Sequence, residues 1–322
     1  MKTTVVGGYP KILEDQLLRK TLWEIDREGG KANGKLEEAV QKVTRSAIRE
    51  QEEAGLDIVS DGAIRWEDEI TASLRGMEGM EFTGLIRYFD TNVLYRQPVV
   101  TRPVKLKIPA LAADYSFAVK NAKRPVKAIM TGPFTIAKAS RDEYYQNGEK
   151  FVLAFAEALR GEREALERAG AKKIQINEPF LLSAPEEFEL FRKGFRTLAE
   201  GARAELELFF SFGDFSKVFP KIMDVCVWRV GFDLGTARNP ERILKDKVWK
   251  GRKLLAGVID ARNTRLETKE ELHGRLKAAL ACVASQDLEV APSANLEFLP
   301  LDRCRAKLKN LVKLTRDFKE VV

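Results

Sequence analysis

Two polar residues stand directly at the end of an apolar run in the segment KKIQINEPFLL, residues 172–182. Ile174 and Ile176 alternate with polar residues, which is typical of a buried strand, and Asn177 and Glu178 follow before a proline that fixes the next backbone torsion. An amide and a carboxylate at this place can make a plain turn or can point into a pocket. In a pocket, the carboxylate could position or protonate a ligand.

Further polar side chains follow the other predicted strands. A single acid at a strand end is usually a helix N-cap or a loop hydrogen bonder, but several carboxylates and arginines at one place shift each other's pKa values and favour a site. We predict catalytic roles for Glu178, Asp61, Asp260 and Arg262. The predicted substrate-binding residues are Gln175, Asn177, Arg65, Asp68, Ser211, Asp233 and Arg238.

The residue inventory argues against several chemistries. The single histidine, His273, lies in a helical stretch, so no histidine is expected at the strand ends as a triad member or general base. Neither G-x-x-x-x-G-K-[ST] nor G-x-G-x-x-G is present, so a nucleotide phosphate loop is unsupported. The 3 cysteines are widely spaced and form no paired motif, which argues against disulfides and a cysteine-rich zinc site.

Strands and helices must position these residues, and short β-branched runs recur along the chain, each followed by a helical pattern. This alternation predicts parallel strands joined by helical crossovers. In residues 149–169, for example, the apolar positions fall on one helical stripe and Gly170 follows as a stop. The eight runs lie at residues 3–8, 57–62, 126–132, 173–179, 206–214, 227–233, 254–260 and 288–295.

Eight strand–helix units in 322 residues predict an α/β fold, a (β/α)8 TIM barrel, whose site lies at the C-terminal ends of its strands. We expect a single barrel domain over residues 1–322. The expected additions are an N-terminal extension with an extra helix at residues 15–28, and a hairpin insertion after the second strand, within residues 65–125, over the barrel mouth.

Composition and charge are those of a soluble globular protein, with 44% hydrophobic and 32% charged residues. The net charge of +7 is spread over Lys/Glu-rich helices, which argues against a nucleic-acid partner. Because no run of 18 apolar residues and no signal peptide is found, we expect no membrane partner and a cytoplasmic location. A small-molecule substrate is expected, and a partner protein or a homo-oligomer stays open.

Seven short segments of the chain, taken in order, resemble the C-terminal catalytic barrel of cobalamin-independent methionine synthase. This family belongs to the superfamily that also contains uroporphyrinogen decarboxylase. The resemblance covers essentially the whole chain and implies a barrel enzyme of one-carbon metabolism. The segments are VGGYP, DIVSDG with Asp68 downstream, TGPFTI, IQINEP, SFGDF, GVIDARNTRLET and APSANL.

Members of that family transfer a methyl group from 5-methyltetrahydrofolate, usually polyglutamylated, to the zinc-bound thiolate of homocysteine. The resemblance places the zinc-ligand positions on Phe209, Ser211, Asp233 and Ala294, which do not provide a tetrahedral nitrogen/sulfur site. It therefore implies that no metal is bound, whereas 5-methyltetrahydrofolate or a related one-carbon carrier stays the expected methyl donor.

The resemblance also implies an altered substrate site. The two acids that hold the homocysteine ammonium fall on Ala63 and Asn177, and the catalytic histidine falls on Arg262. The pocket is thereby more positive than the family's by about three charges, which predicts an anionic or neutral ligand. The first-strand serine and the tryptophan that faces the pterin fall on Gly8 and Ala139.

The resulting prediction is a methionine-synthase-like methyltransferase that acts without zinc on a folate-like or other anionic substrate. Glu178, Asp61 and Asp260 would position or protonate a pterin-like ring, and Arg262 with a neighbouring arginine would bind an anionic group. Two alternatives stay open. One is a metal-free barrel that removes a carboxyl group or cleaves a bond next to one, and the other is a non-catalytic ligand-binding or partner subunit derived from methionine synthase.

Overall fold

A seven-stranded parallel sheet, curled around a common interior, forms the centre of the molecule. Its strands lie side by side in the order Lys2–Thr3, Leu288–Pro292, Leu254–Ile259, Arg229–Asp233, Glu205–Phe210, Lys173–Asn177 and Ala128–Thr131. The computed structural model describes residues 1–11, 16–27, 34–235 and 240–320. The strands are β1 (Lys2–Thr3), β2 (Met77–Arg87), β3 (Leu94–Leu106), β4 (Ala128–Thr131), β5 (Arg141–Asp142), β6 (Lys173–Asn177), β7 (Glu205–Phe210), β8 (Arg229–Asp233), β9 (Leu254–Ile259) and β10 (Leu288–Pro292).

Helices follow most of these strands and cover the outside of the sheet. They are α1 (Leu17–Arg27), α2 (Lys35–Ala54), α3 (Ala112–Asn121), α4 (Pro133–Ala139), α5 (Gly148–Arg168), α6 (Phe188–Ala199), α7 (Pro240–Leu244), α8 (Lys269–Leu280) and α9 (Leu301–Lys319). The predicted extra helix corresponds to α1, but its predicted ends Asp15 and Glu28 lie outside the described residues, as does Arg238.

The two edges of the sheet are joined by the segment that was predicted as the second strand. Ile58 donates a backbone hydrogen bond to Thr3 O at 3.1 Å, and Val59 donates one to Pro125 O at 2.9 Å. Lys127 N returns a bond to Val59 O at 2.9 Å. The segment makes only an isolated bridge, but it closes the sheet, and the predicted TIM-barrel fold class is confirmed.

The predicted helical stripe in residues 149–169 is also confirmed, because α5 buries Phe151, Phe155 and Leu159 in the main hydrophobic core. Gly170 follows with a φ of 94°, a left-handed conformation that glycine adopts easily and that ends the helix. None of the helices in the described ranges is long and apolar enough to cross a membrane.

A long antiparallel hairpin, β2–β3, leaves the barrel after the second strand segment. Residues 81–87 of β2 are exposed, so this arm packs little against the barrel. The hairpin tip, which we define as Tyr88–Thr91, instead returns to the barrel. Tyr88 and Phe89 contact Phe212 and Phe180, which directly follow β7 and β6, so the hairpin tip covers the C-terminal ends of the strands.

Candidate functional site

Gln175 and Asn177 of β6 point into the barrel because side chains alternate along a strand and the intervening isoleucines face the helices. Gln175 Nε2 donates to Asn177 Oδ1 at 2.6 Å and to Val6 O at 2.7 Å. On its other side Gln175 Oε1 accepts from Lys127 Nζ at 2.7 Å. Lys127 therefore fixes which way both amides point, with the Asn177 NH2 group directed toward the mouth.

Glu69 lies in the loop after the second strand segment and accepts a hydrogen bond from the Asn177 amide. Its Oε1 accepts from Asn177 Nδ2 at 3.4 Å, and its Oε2 accepts from the hydroxyl of Tyr88 in the hairpin tip. Asn295, which follows β10, also hydrogen bonds to Glu69 and donates to Glu297 at 3.1 Å. We call these residues the mouth cluster: Glu69, Tyr88, Gln175, Asn177, Asn295 and Glu297.

The carboxyl group of Glu69 is buried among neutral donors. Burial raises its pKa above the ordinary value, and the negative charge of Glu297 acts in the same direction against the hydrogen bonds from Tyr88 and the amides. Within the described ranges no Lys or Arg pairs with Glu69, and Lys11 pairs instead with Glu297 at 2.9 Å. A carboxyl group in this setting keeps its proton to a higher pH than an exposed glutamate does and can donate that proton to a ligand.

Glu178 is the next residue after β6, and its side chain turns to the helix layer. Its Oε1 and Oε2 accept hydrogen bonds from the N–H groups of Phe134 at 3.1 Å and Thr135 at 2.7 Å, in the first turn of α4. Gly132 leaves the necessary space, since a Cβ there would lie 2.1 Å from Glu178 Oε1. Burial raises the pKa of Glu178 to about 7. Glu178 thus caps α4, and these bonds do not join it to the mouth cluster.

Asp61 and Arg65 contact the helices outside the barrel. Asp61 accepts from the N–H of Ala63 at 2.9 Å, and burial, together with the nearby charge of Asp114, raises the pKa of Asp61 to about 6. Arg65 pairs with Asp114 of α3 at 2.6 Å and with Glu37 of α2 at 2.8 Å. These contacts hold a loop against α2 and α3 and do not bring Asp61 or Arg65 into the mouth cluster.

Asp260 and Arg262 lie beside each other after β9. Asp260 Oδ1 accepts from the N–H of Arg262 at 2.8 Å, and its Oδ2 accepts from the Asn263 amide. The Arg262 guanidinium pairs with Asp90 of the hairpin tip and lies 5.5 Å from the ring centroid of Phe212. Arg262 therefore stands at the rim of the mouth, and Asp260 shapes the loop that carries it.

Asp68, Ser211 and Asp233, three further predicted substrate-binding residues, each lie at the end of a strand or in the loop that follows one. Asp68 accepts from the N–H groups of Ile70 at 2.8 Å and Arg96 at 3.2 Å, which shapes the loop that presents Glu69. Ser211 is buried after β7, and Asp233 is buried at the end of β8, where it accepts a backbone N–H at 2.7 Å. Arg238 has no described position.

Aromatic rings surround the mouth. Phe89 of the hairpin tip lies with its ring centroid 4.8 Å from Phe180 and 4.8 Å from Phe212. Phe298, after β10, lies 5.7 Å from Phe212. These rings form an apolar wall around the polar mouth cluster.

Sequence reasoning missed Glu69, Tyr88, Phe180 and Phe212 as site residues. Phe180 and Phe212 each come within three residues of a strand end, and this spacing in the sequence could have indicated them. No such spacing indicates Tyr88 as a site residue, because Tyr88 reaches the mouth only when the hairpin folds back onto the barrel.

The family model described as "Cobalamin-independent synthase, Catalytic domain" matches residues 1–317 of the chain. The chain belongs to the cobalamin-independent synthase family. The resemblance inferred from the sequence is thereby confirmed, and with it membership of a methyltransferase family. Among curated members, the methionine synthase of Saccharolobus solfataricus is 29% identical over 321 residues, covering 99% of this chain and 95% of the relative. That of Sulfurisphaera tokodaii is also 29% identical, covering 99% and 93%.

Solved structures share the fold of this synthase-family chain. A B12-independent methionine synthase from Shewanella sp. W3-18-1, in complex with selenomethionine, superposes with a TM-score of 0.85 at 23% identity, covering 100% of this chain and 99% of that one. A putative vitamin-B12 independent methionine synthase from Listeria monocytogenes gives 0.78 at 16% identity, covering 97% and 96%. At these identities the likeness concerns the fold alone.

The four positions that the resemblance assigns to zinc ligands have little donor capacity. Phe209 is buried in an apolar cluster with Val6, Leu255 and Ala291 inside the barrel. Over the residues with described positions, no group of three or more His, Cys, Asp and Glu side chains could hold a metal ion.

Proposed function

We propose that this protein transfers a methyl group between a folate-like one-carbon carrier and a small acceptor at the mouth cluster, without a protein-bound zinc ion. The supporting observation is the buried Glu69 carboxyl group, which lies beneath the hairpin tip among neutral hydrogen-bond donors in a chain of this family. A covered site suits group transfer because exclusion of water suppresses hydrolysis and strengthens polar interactions.

The zinc-independent part of the proposal rests on the chemistry of the donor set. Phe209 and Ala294 offer no ligand atom, and Ser211 and Asp233 offer only a hydroxyl and a carboxylate. These side chains do not fit a zinc ion that must bind and activate a thiolate, for which histidine and cysteine are the usual ligands. We therefore derive no step through a metal.

We assign the proton of the reaction to Glu69. Transfer from the nitrogen of a folate-like carrier breaks an N–CH3 bond, and the leaving nitrogen must gain a proton while the acceptor forms the new bond to the methyl group. A protonated Glu69 can supply that proton, and the acceptor releases its own proton to solvent. Asn177 and Asn295 hold the Glu69 carboxyl in place, and Lys127 orients Asn177 through Gln175.

The rim residue Arg262 is proposed to bind an anionic group of the substrate, with Asp260 as a positioning residue for its loop. The sequence predicted a more positive mouth, but Glu69 and Glu297 place two carboxyl groups there, of which Lys11 pairs with Glu297. Glu178, Asp61 and Arg65 are proposed as positioning residues, since their contacts are with α2, α3 and α4.

Transfer can be tested with 5-methyltetrahydrofolate carrying one or three glutamates and a panel of small thiols, including homocysteine, in the presence of a metal chelator. We expect turnover that the chelator does not abolish. Glu69→Gln should lower it by about 100-fold or more, as expected for loss of a general acid. The matched control is Glu67→Gln, an exposed neighbour in the same loop, which should retain the wild-type rate.

Two results would contradict this proposal. One tightly bound zinc per chain, with activity lost on chelation, would overturn the zinc-independent part. Saturable binding of the carrier with no transfer to any acceptor would favour a ligand-binding role instead.

A further inference from the structure

The ring of Phe89 occupies a slot between two aromatic side chains of the barrel. Its plane lies 16° from that of Phe212, with the centroids 4.8 Å apart, so the two rings stack face to face. Phe180 closes the other side at 4.8 Å and 57°. Stacked and tilted contacts at such distances are favourable for any planar ring, so the slot is not specific for phenylalanine.

A cation lies next to this slot. Asp90, the residue after Phe89, pairs with Arg262, and the Arg262 guanidinium also lies 5.5 Å from the Phe212 ring centroid. Phe180, Phe212 and Arg262, which we call the rim site, thus bind an aromatic ring and a carboxylate that are neighbours in the hairpin tip. Arginine binds carboxylates of other molecules equally well through its planar fork of N–H groups.

The hairpin tip contacts the rim site through the buried Tyr88, and also through Phe89 and Asp90, which are the less firmly held part of the tip. Phe89 has a φ of 51°, a left-handed conformation that is costly for a residue with a Cβ. The pair of Asp90 with Arg262 is solvent-exposed, and exposed ion pairs contribute little to stability. Residues 81–87 of β2 are exposed, so on this strand the tip is held to the barrel mainly through Tyr88 and Phe89, and displacement of the tip must expose the buried Tyr88 ring.

We infer that the rim site binds a planar ring that carries a carboxylate, and that Phe89 and Asp90 occupy this site as an internal substitute until the ligand displaces them. The inference rests on the proposed function, because a folate-like carrier has a benzoyl ring with a glutamate attached. Displacement of the tip would also remove the Tyr88 hydroxyl from Glu69, and the bound ligand would then cover the mouth cluster in place of the tip.

Calorimetric titration with two probes tests the inference. Folic acid has the ring and the carboxylates but no methyl group to transfer, and 1-naphthoate is a planar carboxylate without a pterin. The proteins are wild type, the double variant Phe89→Ala/Asp90→Asn, Arg262→Gln, and the control Glu67→Gln. The control removes another exposed ion pair of the hairpin, with Arg96, and leaves the rim site intact.

The double variant should bind both probes about 10-fold more tightly than wild type, since the apparent dissociation constant falls when the competing internal segment is removed. Arg262→Gln should weaken binding in either background, and Glu67→Gln should match wild type. In wild type, the backbone amides of Tyr88 and Thr91 should exchange hydrogen faster when a probe is bound, because the tip has left the mouth.

The outcomes separate this inference from the proposed function. Tighter binding of 1-naphthoate by the double variant, with no binding of folic acid, would support the rim site and contradict a folate-like carrier. Methyl transfer by wild type with no gain in affinity in the double variant would overturn the internal substitute and leave the proposed function standing. Absence of binding of both probes to all four proteins would overturn the rim site itself.

Discussion

The floor and the mouth of the barrel both bury charged side chains, but they compensate those charges differently. At the floor, Glu207 pairs with Arg229 at 2.8 Å and with Lys173 at 3.2 Å, and Glu289 pairs with Arg229 at 3.2 Å. Each carboxylate there faces cations on other strands of the sheet. We call this group the floor cluster, which consists of Lys127, Lys173, Glu207, Arg229 and Glu289.

At the mouth the matching is incomplete, because Lys11 pairs with Glu297 but not with Glu69. Glu69 is held by a tyrosine hydroxyl and two amides, and the nearby carboxylate of Glu297 opposes its ionisation. Buried ions that are paired can be purely structural, whereas a buried carboxyl that lacks a cation costs stability whenever it is ionised. The comparison indicates that the floor cluster supports the fold and that the mouth cluster retains an imbalance that a reaction can use.

Lys127 connects the two regions. It lies 3.8 Å from Glu207 in the floor cluster and donates to Gln175 in the mouth cluster at 2.7 Å. Burial lowers the pKa of Lys127 to about 8. The floor cluster therefore orients the amides of Gln175 and Asn177 in the mouth cluster through Lys127.

The largest effect is expected from Arg229→Met at the floor. This change leaves Glu207 and Glu289 buried with too few cations and frees the carbonyl groups that Arg229 binds, so unfolding free energy should fall by about 3–5 kcal/mol. Urea denaturation at neutral pH measures it. A loss below about 1 kcal/mol would remove the distinction between the two regions.

A smaller effect, dependent on pH, is expected at Glu178, a carboxyl that also has only neutral donors. Its pKa is raised from 4.5 to about 7, so its contribution to stability is fully present below its unfolded pKa and is lost as the pH rises through about 7. Wild type should lose about 3 kcal/mol relative to Glu178→Gln, which does not titrate, between about pH 4 and 8. Parallel stability curves for the two proteins would contradict this.

At the mouth, Glu69→Gln should change stability at mildly acidic pH by less than about 1 kcal/mol, because an amide replaces a protonated carboxyl among the same neutral donors. Since the pKa of Glu69 is raised, wild type loses stability with rising pH and the variant does not, so the variant should become the more stable protein at alkaline pH. Urea denaturation of both proteins at a series of pH values measures this difference. A variant that is less stable than wild type at every pH would contradict the prediction, because it would mean that the ionised Glu69 carboxylate is stabilised by its surroundings.

The smallest effect is expected at the exposed rim. Asp90→Asn removes the pair with Arg262 and should cost about 0–1 kcal/mol, because solvent screens such pairs. Thermal unfolding in low and high salt measures it, and a cost of several kcal/mol would mean that the hairpin tip is a fixed structural element.

The sequence by itself determined the barrel, because strand and helix periodicities are local and each of the eight runs had one. It also determined that Gln175 and Asn177 face the interior, since side chains alternate along a strand. The same alternation points the Glu178 side chain away from the interior and toward α4. This direction could be recognised only from the residue at which β6 ends in the folded structure.

Only the tertiary structure decided which loop residues meet. Arg65 pairs with Glu37 and Asp114, 28 and 49 residues away, and Asp90 pairs with Arg262, 172 residues away. Glu69 becomes a mouth residue because a hairpin folds back and places Tyr88 on it. Such contacts depend on the path of a whole loop across the barrel, and no periodicity in the sequence encodes that path.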